Sequence, residues 1–507
     1  MKKIFLIFTT ISLIAGVGCK KGYLDINTNP NQSTSADPSL VLPAALVATV
    51  ANYYPGPTTM SEWMQSWAVS GSYAINGNDP GTTYKMTTGF GDGFWQSVYD
   101  NLEDYQYIQK SANASGNGFL EGIARIMKAF NYMHLVDLWG DIPYSDALRG
   151  ALSLRPKYDN GEAVYDSLFN ELQAGITLIN NSGATISATS DVMFGGDKTS
   201  WVQFANTVRL EMLLRMSQMA TKPDFFQPNL ALTQSEPAGF LTADALVQPG
   251  YTNSSGQGNP FWQRFYNLTG GLVSSFGDFW AANTFAVNYF QNLNDPRLGL
   301  EYKKVPAGPN AGQFIGCTLG LANNNPTNGN YSIFGDGTLQ SPTAPAPMML
   351  ASESYFLQAE AIALGYLSGD DNAMYQAGIQ ASFEYLGLPD TTFTNWYSSK
   401  SGNIHVDYAS ATSVTAKQTI ILRQKWAALI SINSFESYDD YRKFNSLHSG
   451  TPPFAGPLGD TPMSASPYID VPKIPIRWLY PQSEYSKNPE NVPPLFDQQN
   501  STIFWMQ

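Results

Sequence analysis

The sequence predicts a mostly helical fold with one loop-rich face. Apolar residues recur at the i, i+3 and i+4 spacing of helices from about 40 to 220 and again from about 347 to 434. Between them, residues 221–346 are dense in Pro, Gly and Asn, and the helical period becomes patchy. We therefore expect a single domain over 39–507, helical at 39–220 and 347–449 and loop-rich at 221–346 and 450–507.

Individual helices are predicted from caps and periodicity. The first follows Ser39, a suitable N-cap, and keeps apolar residues at helical spacing through Val50. The clearest helix runs from Leu120 to Leu138 with one apolar face, and Gly140 ends it. Further helices are predicted at about 161–180, 199–220, 347–367, 371–386 and 415–434.

Two of these helices form a predicted hairpin of small residues. The first ends in an alanine-rich segment, 359–365, and a Ser-Gly-Asp-Asp turn follows at 368–371. The next helix carries Ala377, Gly378 and Ala381. Small side chains let antiparallel helices approach closely, as in a tetratricopeptide-like hairpin, although any helical hairpin fits this single unit equally well.

The N-terminus is predicted to be a targeting segment. Two lysines precede an apolar stretch at 4–17, which is shorter than the ~20 residues of a transmembrane helix, and small residues lead directly to Cys19. This arrangement resembles a bacterial lipoprotein signal. We expect 1–18 to be the signal peptide, Cys19 to carry lipid and 19–38 to form a tether, with an ordinary secretion signal as the alternative.

Charge and composition exclude several classes of function. The chain has 507 residues, 28 Lys and Arg against 41 Asp and Glu, three His and a net charge of −13. This balance argues against nucleic-acid binding and against a basic patch for anionic lipid. Few histidines disfavour a His-rich metal site, and we predict neither a metal nor a cofactor.

Cys317 has no disulfide partner once Cys19 is lipidated, so we expect Cys317 to behave as a small buried apolar residue.

A set of short motifs spreads over nearly the whole chain. In order they are Leu24–Asn31, Asp137–Ala147, Trp201–Leu210, Asp295–Arg297, Ala359–Gly365, Gln424–Arg442 and Ile474–Glu484. Each motif is weak alone. As a set, and in this order, they resemble the SusD/RagB family of nutrient-binding outer-membrane lipoproteins.

The resemblance implies a SusD-like helical fold with tetratricopeptide-like hairpins and irregular loops on one face. It implies no catalysis. Proteins of this family sit as lids on a SusC-like TonB-dependent transporter and capture oligosaccharides or peptides for it. We therefore expect a lipid-anchored protein of the outer membrane on the cell surface, and the residues do not separate a glycan ligand from a peptide.

The shared motifs have an architectural interpretation. In the segment 139–144, Gly ends a helix, Pro sets the exit of the chain and the aromatic rings can pack across the turn. Asp439 and Arg442 stand at i, i+3 and can form an ion pair near Glu436. His134 has apolar neighbours, so we expect a satisfied core histidine.

Two loop regions combine aromatic rings with amide and carboxylate side chains. Sugar rings stack on Trp and Tyr, while Asn and Asp bind hydroxyl groups. The candidate ligand contacts are Tyr73, Asn76, Asn78, Asp79 and Tyr84 in the first region and Trp262, Tyr266 and Trp280 in the second. We expect Tyr73 and Trp262 to line one shallow site facing the transporter, and core packing is the alternative for each ring.

Two other classes of function stay open. The sequence lacks the metalloprotease, serine-hydrolase and P-loop motifs, but 41 acidic residues cannot be paired from sequence, so a lipid-anchored glycoside hydrolase with a carboxylate pair is one alternative. A purely structural surface lipoprotein is the other.

Overall fold

The N-terminal half folds as helices joined by short turns. The computed structural model describes residues 36–54, 56–221, 224–273, 277–327, 329–447 and 463–507. The predicted signal peptide and Cys19 lie outside the described residues. The first helices are α1 Pro38–Tyr53, α2 Thr58–Trp63, α3 Pro80–Thr83, α4 Asp92–Ser115, α5 Gly118–Trp139, α6 Gly161–Asn181 and α7 Lys198–Arg215.

The remaining helices include the predicted hairpin. They are α8 Phe226–Gln234, α9 Trp262–Phe265, α10 Thr284–Asn292, α11 Leu298–Glu301, α12 Ala351–Ala363, α13 Asp371–Tyr385, α14 Asp390–Ser398, α15 Val414–Leu429, α16 Ser434–Leu447 and α17 Gln482–Lys487. Single 3₁₀ turns lie at Gly150–Leu152, Ser217–Thr221, Tyr408–Ser410 and Phe504–Met506. The mostly helical fold is confirmed, and the described parts of 221–346 and 450–507 carry only short elements between loops.

The helix boundaries follow local chemistry, with one correction. Asp37, not Ser39, caps α1: its carboxylate accepts from the Ser39 backbone N–H at 2.9 Å, and Pro38 takes the first helical position. Proline suits that position because its missing N–H would have had no helical partner there. Helix α5 ends at Gly140 as predicted, where φ is +81°.

Short antiparallel strand pairs join distant parts of the chain. Strand β1 (Trp67–Val69) pairs with β5 (Trp280–Ala282), with Val69 opposite Trp280. The other pairs are β2 (Ile142–Pro143) with β3 (Tyr158–Asp159) and β4 (Ala245–Val247) with β6 (Ala346–Met349). The first pairing brings the loop after β1 beside the loop before β5, and the candidate site is built there.

Close helix contacts depend on glycine. Helices α12 and α13 pack as the predicted hairpin, and a Cβ on Gly378 would stand 2.9 Å from three ring atoms of Phe356. Helices α5 and α6 pack in the same manner, because a Cβ on Gly122 would stand 2.7 Å from the Gly175 carbonyl oxygen. Small residues therefore set the spacing of both helix pairs.

One large core runs through the described residues. Its largest fully buried side chains include Trp63, Trp67, Trp139, Trp201, Trp478 and Trp505. The indole N–H of Trp139 donates to the Leu479 carbonyl at 2.9 Å. Cys317 is fully buried as predicted, and burial raises the pKa of its thiol to about 12.

His134 is a core residue, but it is not fully satisfied. Its ring packs 4.4 Å from Tyr53 and 4.7 Å from Phe130 between ring centroids. Nδ1 has no hydrogen-bond partner among the described residues. Burial, with the nearby Arg215 charge, lowers the pKa of His134 to about 3, so the imidazole is neutral.

Candidate ligand-binding site

The loop after β1 presents Tyr73 to solvent. The Ser70 backbone N–H donates to the Phe279 carbonyl at 2.9 Å, and the Ser70 hydroxyl donates to the Asp278 carbonyl at 2.8 Å. These bonds hold the loop against the chain before β5. The Tyr73 ring then packs edge-on to Phe279 with centroids 4.8 Å apart and stays 37% exposed. The exposed ring is thus supported from beneath.

Tyr73 lines an open cavity of about 540 Å³, which we call the Tyr73 cavity. Its lining consists of Ser72, Tyr73, Leu272, Gly277, Asp278, Pro306, Gly329, Tyr331 and Ile333. The Tyr331 hydroxyl donates to the Asp278 carbonyl at 2.9 Å and so ties two of its walls together. The lining combines apolar faces with an exposed carboxylate and hydroxyls, a mixture suited to a ligand with apolar C–H faces and many hydroxyls.

Trp262 and Tyr266 form a second aromatic surface beside this cavity. Asn259 accepts hydrogen bonds from the backbone N–H groups of Phe261 and Trp262, both at 3.0 Å, and so starts the short helix α9. One turn later, the ring of Tyr266 stacks on that of Trp262, with centroids 5.1 Å apart and planes 29° apart. Both rings are half-buried. We call this pair the aromatic ledge.

The ledge carries a cation and adjoins the cavity. The Lys303 ammonium lies 5.7 Å from the Tyr266 ring centroid and is paired with Asp336 at 2.6 Å. Tyr266 forms an antiparallel bridge with Leu272, which lines the Tyr73 cavity. Tyr73 and Trp262 are therefore on neighbouring surfaces, but Trp262 does not line the cavity itself.

The polar candidates of the first loop have local roles. Asn76 and Asn78 are exposed, and the Asn76 side chain accepts from the Asn78 backbone N–H at 2.9 Å. Asp79 caps α3, accepting from the Gly81 N–H at 3.2 Å and the Thr82 hydroxyl at 3.0 Å. None of the three lines the Tyr73 cavity.

Tyr84 and Trp280 lie in the core, which corrects the expectation of two ligand contacts. Tyr84 is 1% exposed, and its hydroxyl accepts from the Ser464 backbone N–H at 2.8 Å. Trp280 is 7% exposed because β5 turns it toward Trp67, with ring centroids 5.8 Å apart. Sequence reasoning marked both as loop aromatics, and tertiary packing covers them.

Sequence reasoning missed other lining residues. Tyr331 follows Gly329 and Asn330, the same kind of flanking residues that singled out Tyr73, so a signal for it was present. Asp278 is a lone acidic residue with no motif around it. Only the pairing of β1 with β5 brings it to the cavity.

Three of the shared sequence motifs, at 137–147, 359–365 and 424–442, meet elsewhere, in a buried charge cluster. It comprises Asp137, Glu211, Glu353, Glu360, Glu436, Asp439 and Asp440 with Arg215, Lys425, Arg442 and Lys443. Arg215 binds Asp137 at 2.6 Å and also contacts Glu436, while Lys425 reaches Glu436 at 2.6 Å. The predicted pairing of Asp439 with Arg442 is confirmed. These three motifs therefore contribute to the architecture of the core.

Part of this cluster has the spacing of a metal site. Glu211, Glu353 and Glu436 place carboxylate oxygens within 4.8 Å of one another. Arg215 and Lys425, however, already contact Glu436 from the chain itself. Burial and neighbouring charge raise the pKa of Glu353 to about 8, which favours a bound proton at this carboxyl group.

Comparison with known families identifies the chain. Residues 30–468 match the model of a SusD-like family described as starch-binding and associating with the outer membrane. Because that match spans most of the sequence, the chain belongs to the SusD-like family, and the predicted resemblance is confirmed. This is a family of binding proteins. Curated protein sequences include no significant match.

Solved SusD homologues share the fold across nearly the whole chain. One from Bacteroides fragilis has 20% identity and a TM-score of 0.69, covering 93% of this chain and 100% of its own. A chitin-binding homologue from Flavobacterium johnsoniae has 20% identity and a TM-score of 0.71, with coverage of 92% and 98%. One from Bacteroides uniformis has 21% identity and a TM-score of 0.70, with coverage of 92% and 99%.

Among the described helices, none is both long and apolar enough to cross a membrane.

Proposed function

We propose that this protein is a lipid-anchored outer-membrane protein of the cell surface that captures oligosaccharides and delivers them to a SusC-like TonB-dependent transporter. The Tyr73 cavity carries the proposal, because it places an exposed, supported ring beside a carboxylate and hydroxyls. The starch-binding description of the family and the chitin-binding relative favour a glycan over a peptide.

The proposed binding mode uses two surfaces. A sugar ring stacks on Tyr73, and its hydroxyls donate to Asp278, which is exposed at the cavity wall. A longer oligosaccharide continues over Leu272 to the aromatic ledge, where Trp262 and Tyr266 offer further stacking. The two surfaces together suit a chain of several sugars better than a single one.

A ligand panel tests the function. Purified protein is titrated calorimetrically with malto-oligosaccharides, chito-oligosaccharides and short peptides, and the ligands are recovered and analysed for cleavage. We expect affinity for one glycan series and intact ligands. Turnover that disappears with one carboxylate substitution would instead establish the glycoside-hydrolase alternative, and tight peptide binding alone would replace the glycan.

Matched variants of Tyr73 locate the site. Tyr73→Ala removes the stacking surface and is expected to weaken glycan binding by about tenfold, since a stacked ring contributes ~0.5–1.5 kcal/mol beyond the area it buries. Tyr73→Phe keeps the ring and should retain most of the affinity. Unchanged affinity in Tyr73→Ala would place the glycan elsewhere.

The lipid anchor has its own test. Cys19 follows a short apolar segment, and stable attachment needs two or more acyl chains. Cys19→Ala is expected to move the protein from the membrane fraction to the soluble fraction of fractionated cells. Retention of the variant with the membrane would contradict lipid anchoring.

A further inference from the structure

A second cavity lies at the helical hairpin. It has a volume of about 450 Å³ and is bounded by α12, α13 and the loop before β4. Its lining is Thr242, Ala243, Asp244, Ala351, Tyr355, Ala377, Gln380, Ala381, Glu384 and Tyr385. It shares no lining residue with the Tyr73 cavity. We call it the Asp244 cavity.

Two carboxylates line this cavity, and neither is paired with a cationic side chain among the described residues. Asp244 is half-buried and accepts from the Ala351 backbone N–H at 2.8 Å. Glu384 is exposed on α13 and accepts from the Gln380 side chain at 2.8 Å. The lining includes no Lys, Arg or His. Burial and the Glu384 charge both raise the pKa of Asp244, so the two carboxylates repel one another across the cavity.

The other walls are mostly alanine and tyrosine, with Thr242 and Gln380 as their polar members. Four alanines, Ala243, Ala351, Ala377 and Ala381, leave the space open and present only methyl groups. Tyr355 adds a half-buried ring, and burial together with the Glu384 charge raises the pKa of its hydroxyl. A cation gains from both carboxylates and from the face of a tyrosine ring.

We propose that the Asp244 cavity binds the lysine side chain of a peptide segment. The four-carbon stem packs against the alanine methyl groups while the ammonium group meets Asp244 and Glu384. Calcium takes six to eight oxygen ligands, whereas the lining offers two carboxylates and the neutral side-chain oxygens of Thr242 and Gln380 besides the tyrosine hydroxyls.

A pair of small probes tests the proposal. N-acetyl-lysine amide and N-acetyl-norleucine amide have the same stem, and only the first carries an ammonium group. Titration of the full chain, followed by NMR or calorimetry, is expected to show binding of the lysine probe and at least about tenfold weaker binding of the norleucine probe. Equal binding of the two probes would overturn the proposal.

Variants test the charge of the Asp244 cavity and its free volume separately. Glu384→Gln should weaken lysine binding by about tenfold, and because Glu384 is exposed the fold should be unaffected. Ala381→Leu fills the cavity without changing its charge and should also abolish binding. Asp390→Asn removes an exposed carboxylate outside the cavity and should bind as the parent protein does. Undiminished binding in Glu384→Gln would overturn the assignment.

Two further outcomes are decisive. Tyr73→Ala should keep full lysine binding whether or not it binds glycan, so this inference and the proposed function fail separately. A glucosamine oligomer that displaces the lysine probe at lower concentration would assign the cavity to an amino sugar and overturn the peptide proposal. Failure of that oligomer to displace the probe supports it.

Discussion

Aromatic residues in this chain differ in how much of each ring is covered by packing and how much is open to solvent. Tyr73 is backed by Phe279 on one side and faces an open cavity on the other. Trp262 is backed by the core and covered in part by Tyr266. Tyr84 is enclosed on all sides. Substitutions at these positions should therefore separate ligand affinity from stability.

Trp262→Ala is expected to weaken glycan binding by about tenfold with little loss of stability. The indole is half-buried, and its stack on Tyr266 offers a surface for a second sugar. Calorimetric titration and thermal denaturation of the same preparation measure both effects. A large fall in melting temperature with unchanged affinity would show that Trp262 serves the core.

Tyr84→Phe provides the contrasting case. The substitution removes the acceptor of the Ser464 backbone N–H, and leaving a buried donor unpaired costs about 1–3 kcal/mol. We expect a lower free energy of unfolding in urea denaturation and unchanged glycan affinity. Loss of affinity with unchanged stability would return Tyr84 to the ligand site.

At the scale of elements, two helix pairs are held at close distance by glycine. Residues of the α12/α13 hairpin line most of the Asp244 cavity. Gly378 packs against the Phe356 ring inside the hairpin, and Ala377 and Ala381, its neighbours on α13, line the cavity. Hairpin spacing and cavity shape are therefore linked.

Gly378→Ala should destabilise the protein. The new methyl group would meet three Phe356 ring atoms at 2.9 Å, and overpacking of this kind costs about 1–3 kcal/mol, more than the gain in helix propensity. Gly93→Ala is the matched control, because nothing lies within 4 Å of its added Cβ in α4. Urea denaturation should show a loss for Gly378→Ala and no loss for the control. Equal stability of both variants would mean that the hairpin relaxes freely.

At the scale of the whole molecule, the buried charge cluster joins α5, α7, α12, α15 and α16. Its seven carboxyl groups exceed its four cationic side chains. Burial and the charge of Glu436 raise the pKa of Glu353 to about 8, whereas in an unfolded chain it would be about 4.3. Between these values the folded protein holds a proton that the unfolded chain has released, so stability falls as the pH rises.

Glu353→Gln should remove this pH dependence. Its stability relative to the parent protein is expected to rise by up to about 1.4 kcal/mol per pH unit between pH 5 and 7. Glu360→Gln is the control, because Glu360 is paired with Lys443 at 2.7 Å and its neutralisation should destabilise the protein without that rise. Parallel stability curves for the parent and Glu353→Gln from pH 5 to 8 would contradict the assignment.

The sequence by itself determined the family, the helical class and most long helices. These depend on local signals: apolar spacing predicts α5, α6 and α13 to within a few residues, and the hairpin of small residues is where it was expected. The pairing of Asp439 with Arg442 also follows from spacing along one helix.

Only the tertiary structure decided which loop residues form the site. The β1–β5 pairing joins residues more than two hundred positions apart, and it brings Asp278 and Phe279 beneath Tyr73 while burying Trp280. Aromatic rings have the same local signature whether a core covers them or solvent does. Burial of a ring depends on contacts with residues distant in sequence. Only the fold therefore distinguishes the exposed rings from the buried ones.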